Sequence, residues 1–299
     1  MQLMMKIVSL QLIYNSLMHI FNKKNELVSY LKSISSPQTK IGFVPTMGAL
    51  HQGHLSLLTE AINNNTIVVI SVFVNPTQFN NPEDLEKYPR TLEKDVAKIQ
   101  SISDKIIVFA PTVNDIYDGN PVSEHYDFDG LEYQMEGQFR PGHFDGVGTV
   151  VKRLFEIVKP TNAYFGEKDF QQLQIIKKLV EKQKMQVTVI GCPIFRESNG
   201  LAMSSRNERL SDKEKNDSAL IYKTMLQAQR LFATKSAKLV TDWVKSNFEK
   251  NDTFKLEYFQ IADEATLLPC IKKNKNKKYR AFIAVFVNKI RLIDTISLN

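Results

Sequence analysis

The architecture this sequence predicts is a parallel α/β domain with its ligand site along one sheet edge, followed by a smaller α+β domain. Three observations carry that expectation. The run Ile67 to Val74, IVVISVFV, is continuous and rich in β-branched residues, as in a strand covered on both faces of a parallel sheet. Strand-like and helix-like stretches alternate from about Leu27 to Ile190, the rhythm of a doubly wound sheet. After Ser211 the rhythm changes to two helical stretches and then three strand-like runs.

The opening MQLMMKIVSLQLIYNSLMHIF is apolar, but Gln11, Asn15 and Ser16 interrupt it and no small-residue cleavage site follows. It fits neither a membrane span nor a good signal peptide, so Met18 is the expected beginning and residues 1–17 receive no role. Leu27, Tyr30, Leu31 and Ile34 keep helical spacing up to Ser35-Ser36-Pro37. Ile41 to Val44 reads as a buried strand, and Leu55, Leu57, Leu58, Ala61 and Ile62 as the helix after it. Ile67 to Val74 follows, then the polar loop Asn75-Pro76-Thr77-Gln78-Phe79 at its carboxyl end, the edge where open α/β sheets bind ligands. Thr91 to Ser101 is a charged helix and Lys105 to Ala110 a short strand. Gly146 and Gly148 are expected to precede a helix, Val150 to Val158. Ala163 to Phe165 is the next strand, Gln171 and Gln172 open a helix, and Val187 to Ile190 closes the sheet. Helices at Lys213 to Phe232 and Ala237 to Phe248 precede strands at Leu256 to Ile261, Tyr279 to Val287 and Ile290 to Ile293.

With 299 residues the chain can bury two cores, and the expected division is 18–195 and 196–299. Cys192 and Cys270 form no disulfide framework or zinc spacing, which favours a reducing, cytoplasmic setting. The net charge of +7 depends on one run: without Lys272, Lys273, Lys275, Lys277, Lys278 and Arg280 about +1 remains. A basic loop between strands reads as a solvated turn, so neither nucleic acid nor membrane is an expected partner.

The stretch Val44 to His54, VPTMGALHQGH, carries the first chemistry. It places a Gly-containing turn between a strand and a helix start, where unpaired N–H groups and the helix dipole favour phosphate. His51 and His54 share one face of the first turn, and Gly53 leaves room for something flat to approach the backbone. Two imidazoles aimed at a helix N-terminus suggest a nucleoside triphosphate, although the same pair alone reads equally well as a capped turn. Lys168, at a strand-to-helix junction, can meet phosphate as a point charge. Ser204, Ser205 and Arg206 form a loop suited to gripping phosphates.

Six stretches now stand in order: VPTMGALHQGH, FVNPTQF, DLEKYPRT, EGQFRPGHFDGV, FGEKDFQQL and MSSRN. Together, and with FQIADEATL and AFIAVFVNKIRLIDTI near the end, they make the chain from about Met18 resemble the pantothenate synthetase (pantoate–β-alanine ligase) family. The resemblance implies a Rossmann-like nucleotidyltransferase domain of the superfamily bearing the HxGH signature, a smaller C-terminal lid domain, and a homodimer. It implies ATP and Mg2+, with pantoate adenylated first and β-alanine joined second. It also distributes roles. Met47, Gly48, Ala49, Leu50, His51, Gln52, Gly53 and His54 would line ATP, with His54 the family's assigned acid. Gly166, Glu167, Lys168 and Asp169, Phe195, and Met203, Ser204, Ser205 and Arg206 would complete the ATP site. His51, His54, Lys168 and Arg206 would act on the reacting phosphates; Gln78 and Gln172 would bind pantoate, with Asn75, Arg140 and His143 nearby and Asp95 an acidic contact to the metal. Asn288 stands where the family turns on Gly, which Asn tolerates in the left-handed region. The chemistry needs positioning and charge neutralisation rather than a covalent nucleophile. The alternative is another HxGH nucleotidyltransferase acting on a different acid or a phosphate acceptor; that enzyme would not need the Gln78 and Gln172 pair.

Overall fold

The alternation in the sequence becomes two sheets with helices packed against them. A computed structural model provides the structure and describes residues 18–249, 251 and 253–299; the expectations for residues 1–17 lie outside it. The first unit runs β1 (Ile20–Phe21), α1 (Lys24–Ile34), β2 (Ile41–Thr46), α2 (Gln52–Asn64), β3 (Ile67–Val72), α3 (Leu92–Gln100) and β4 (Ile107–Phe109). It continues with α4 (His143–Val158), β5 (Asn162–Gly166), α5 (Phe170–Lys182) and β6 (Thr188–Cys192). Its sheet is parallel throughout, in the order β1-β4-β3-β2-β5-β6. Successive side chains take opposite faces: Phe43 and Val69 pack with α1, α4 and α5, whereas Val44, Val68 and Ile70 pack with α2 and Ile99 of α3.

The order reverses between β2 and β5, the switch point where ligands enter open α/β sheets. There the strands part. β2 pairs with β3 over six residues, but with β5 only at Gly42–Asn162 and Phe43–Ala163. Thr161 N donates to Ile41 O at 2.8 Å, so the odd-numbered backbone groups of β2 face β5. Pro45 therefore lacks its N–H on the β5 side, where the ladder stops, while Thr46 O still accepts from Phe73 N on the β3 side at 3.0 Å.

The second unit has α6 (Ala219–Thr234) and α7 (Ala237–Glu249) on one face of an antiparallel sheet, β7 (Phe254–Asp263), β8 (Tyr279–Val287) and β9 (Ile290–Ser297). Its other face supplies Ala262 and Phe282, and the turn after β7 supplies Leu267, to the core of the first unit. Ion pairs join the units as well: Arg291 with Glu136 at 2.8 Å and Arg280 with Glu167 at 3.1 Å. The turn between β8 and β9 holds Asn288 at φ 51°, the left-handed geometry expected of it.

Two expectations need correction. The helix expected at Lys213 to Phe232 is divided at Ser218, whose hydroxyl and N–H both bond to Glu214 O, with α6 beginning at Ala219. Gly146 and Gly148 lie inside α4 rather than before it. Their small size serves packing: a Cβ on Gly146 would lie 2.3 Å from Thr77 O, so only glycine lets α4 rest against the loop after β3.

Candidate active site

A cleft of about 1290 Å³, including its mouth, opens where β2 and β5 part. Its floor is Pro45, Thr46, Tyr164 and Phe165, and one wall is built by His51, Gly53 and His54. That wall is a capping box. Gly53 N donates to His51 Nδ1 at 3.1 Å, and His51 N donates to His54 Nδ1 at 3.3 Å, each ring satisfying a backbone N–H at the start of α2. With both Nδ1 atoms accepting, the neutral rings carry their protons on Nε2, the end turned from the backbone. Gly53 has a different purpose from the one expected. A Cβ there would lie 2.9 Å from His51 Cε1, so the flat group it admits is the neighbouring imidazole.

The turn before α2 is held from behind. Gly48 and Ala49 have φ of 82° and 49°, and the N–H groups of Ala49 and Leu50 donate to the two carboxylate oxygens of Asp95, at 3.0 and 2.7 Å. Asp95 is fully buried, and Thr91 Oγ1 also donates to it. The expected metal contact at Asp95 is thereby overturned: its oxygens are committed to the turn. Gly48, Ala49, Leu50 and Gln52 likewise lie behind or beside the cleft, and none lines it.

Opposite stand Gly166, Lys168 and Asp169 at the end of β5, and Phe195, Met203, Ser204, Ser205 and Arg206 beyond β6. Among the described residues Lys168 Nζ has one weak partner, Asp169 Oδ2 at 3.4 Å. Glu167 does not reach the cleft, because its carboxylate is drawn to Arg280. Lys98, which sequence reasoning passed over, donates Nζ to Leu50 O and adds a cation near the histidines. Tyr88 was also missed; it lines the cleft with Ser205 and sits beside the pair Arg206–Asp84 at 3.4 Å. The motif DLEKYPRT contained it, but nothing in its spacing showed that the loop folds over the cleft.

Of the two adjacent glutamines, Gln171 is structural: its side chain bonds to Glu136 N, Leu131 O and Gln134 O. Gln172 faces the cleft with Gln78 and Asn75. Arg140 and His143 stand behind this group, their side chains directed at Gln78 O at 3.4 and 2.8 Å, so they hold the backbone and do not line the cleft.

Burial and cations depress the histidines. His51 is pushed down to about 4, first by burial and then by Lys168 and Lys98. His54 is held well below its ordinary value by burial, then by His51 and the same lysines. His143 falls to about 4 through burial and Arg140. These folded values lie below the unfolded value near 6.5, so the unfolded chain binds more protons as pH falls through this window. The stabilisation is complete above about pH 6.5 and is lost toward about pH 4. Urea midpoints should therefore decline over this range, and His143→Asn should make the decline shallower; a slope equal to the parent's would refute that assignment.

Comparison with known proteins agrees with this geometry. The family described as pantoate-beta-alanine ligase matches residues 19–297. A curated pantothenate synthetase from Flavobacterium psychrophilum is 64% identical over 281 residues, covering 94% of this chain and all of the relative. One from Christiangramia forsetii is 55% identical with the same coverage. The crystal structure of pantothenate synthetase from Thermus thermophilus superposes with a TM-score of 0.86 at 37% identity, covering 94% of this chain and 99% of that one. The ligase from Francisella tularensis, complexed with beta-gamma ATP and beta-alanine, has a TM-score of 0.77 at 37% identity, covering 94% and 98%. This chain belongs to the pantoate-beta-alanine ligase family.

Proposed function

We propose that the protein condenses pantoate with β-alanine at the expense of ATP, giving pantothenate, AMP and pyrophosphate. The observation that carries this reading is one cleft in which Lys168, Arg206 and two neutral imidazoles face an amide pair, Gln78 and Gln172. The cationic part suits a triphosphate, and the amides suit a hydroxy acid, since they orient a carboxylate without neutralising it.

In the first step a pantoate carboxylate oxygen attacks the α-phosphorus and the bond to the bridging β-phosphate oxygen breaks, releasing pyrophosphate. The chain contributes alignment through Gln78 and Gln172, and charge stabilisation through Lys168, the Ser204-Ser205-Arg206 loop and the Nε2–H groups of His51 and His54. Held neutral, those histidines act as hydrogen-bond donors to phosphate oxygens. In the second step the amine of β-alanine attacks the acyl carbon, the carbon–oxygen bond to AMP breaks, and the amine sheds its proton.

Magnesium suits the donor set as an ion carried by the nucleotide. Among the described residues no three His, Cys, Asp or Glu converge on a metal position, and Asp169 is the carboxylate lining the cleft. Asp169 would meet an ion held mainly by phosphate oxygens, and that ion would neutralise charge on the leaving pyrophosphate. The division at about residue 195 is supported by the separate core of the second unit, and the lid role by Arg206 and Ser205 reaching the Asp84–Tyr88 loop. A homodimer follows from the family resemblance. A cytoplasmic setting is supported by two free cysteines, with burial pushing the Cys192 thiol up to about 11. Among the described residues no helix is long and apolar enough to cross a membrane. Within the basic loop Lys277 pairs with Asp263 and Lys273 lies over the Phe232 ring, which reduces the charge open to nucleic acid.

The deciding experiment measures pyrophosphate release from ATP with a panel of small acids. Release independent of pantoate, or a product lacking β-alanine, would sink the proposal. Gln172→Ala should raise the KM for pantoate about tenfold or more while leaving that for ATP within about twofold, the cost of losing a buried polar contact to a charged group. An equal rise for both substrates would remove Gln172 from the acid subsite.

A further inference from the structure

Gln78 is oriented by its neighbours. Its Oε1 accepts from Asn75 Nδ2 at 3.1 Å, which leaves Nε2 on the side of Met47 Sδ, at 3.2 Å. Asn75 is polarised in turn. Its Nδ2 also donates to Gly146 O at 3.2 Å, and its Oδ1 accepts from the Tyr117 hydroxyl at 2.6 Å, the shortest bond of the group. The Thr77 hydroxyl lies 3.1 Å from the same phenol oxygen.

Tyr117 is 2% exposed and lines no part of the cleft. Its ring packs by Phe73 with centroids 6.5 Å apart, and the Arg153 guanidinium carbon lies 5.0 Å from its centre. Arg153 is fixed to Ile116 O at 2.9 Å. The phenol thus occupies one position and presents its proton to Asn75. The two ends of a primary amide have nearly the same shape, so hydrogen-bond partners alone decide which end faces a ligand. With the carbonyl of Gln78 occupied by Asn75, the end left for a substrate is an N–H donor. A carboxylate requires that end; the reversed amide would set oxygen against oxygen.

We propose that Tyr117 is a positioning residue for the acid substrate, acting through Asn75 to hold the N–H end of Gln78 toward the substrate carboxylate. The proposal rests on the ligase reading above. Tyr117→Phe is isosteric and removes the hydroxyl alone.

The test begins with pantoate-dependent pyrophosphate release by the parent chain, followed by Tyr117→Phe, Asn75→Ala and the double variant. In Tyr117→Phe the KM for pantoate should rise about three- to tenfold, with the KM for ATP within about twofold and the melting temperature close to the parent's. The double variant should be no worse than Asn75→Ala alone, because both changes interrupt one chain of contacts. An unchanged KM for pantoate, an equal rise for both substrates, or additive losses in the double variant would overturn the proposal. A parent without pantoate-dependent release would overturn the ligase reading and this inference with it, whereas an active parent with an indifferent Tyr117→Phe would overturn this inference only.

Discussion

Lys168→Ala should slow pantoate-dependent pyrophosphate release by roughly 10²–10³-fold, the loss associated with removing one preorganised stabiliser of transition-state charge. The structure explains why so much should depend on one ammonium group. Lys168 leaves the end of β5 at the switch point, and among the described residues its only neighbour within ion-pair range is Asp169, 3.4 Å away. That contact is weak enough to be exchanged for phosphate oxygens. A second measurement isolates its electrostatic effect. Lys168 is the leading charge that depresses His51, so the imidazole should titrate higher in Lys168→Ala, readable from the ring protons by NMR. Near-full activity, or an unmoved His51, would refute the assigned role.

The second large effect concerns Asp95, which touches no substrate. Asp95→Ala strands the N–H groups of Ala49 and Leu50 in a buried left-handed turn and should cost about 3 kcal/mol or more, since hydrogen bonds to charged groups contribute about 1.5–3 kcal/mol each. Denaturant unfolding should register this loss, and activity should fall with it because the His51–His54 helix start hangs from that turn. Asp95→Asn keeps the shape but offers one acceptor oxygen where two backbone N–H groups and the Thr91 hydroxyl converge, so it should be intermediate. Neither variant should change the magnesium concentration needed for half-maximal rate. Normal stability with a raised magnesium requirement would restore the metal-ligand assignment.

What the sequence made legible follows from which signals are local. The β-branched run of β3 and the strand–turn–helix at VPTMGALHQGH each declare themselves within a few residues, and the turn at Asn288 came from the family resemblance; each stands where expected. Contacts between distant segments were illegible. Asp95, in a charged helix, was expected to meet the metal, and only folding shows it beneath Ala49 and Leu50, 46 and 45 positions earlier in the chain. Glu167 sits inside a binding motif, yet Arg280 takes it, 113 residues away. Gly146 and Gly148 misled because the same absence of a side chain breaks helices in isolation and permits close packing inside a core. Most of the cleft's polar residues were identified, since they cluster at motif turns. The apolar ones, such as Val147, Val150 and Leu154, were indistinguishable from the buried face of α4.

The pair of histidines at the start of α2 limits how this sequence can drift. Each ring has two nitrogens: Nδ1 closes a backbone bond, and Nε2 is the end assigned to the ligand in the proposed reaction. No other side chain divides these tasks at the same spacing. At the N-cap, His51, asparagine could reproduce the near atom and cap the helix but would fall short of the cleft, whereas glutamine could reach the cleft and leave the helix uncapped. A single substitution of His51 must therefore give up folding stability or the proposed phosphate contact. The tolerance of His51 in a library selected separately for folded protein and for activity should show this: asparagine surviving the first selection, and histidine alone surviving both.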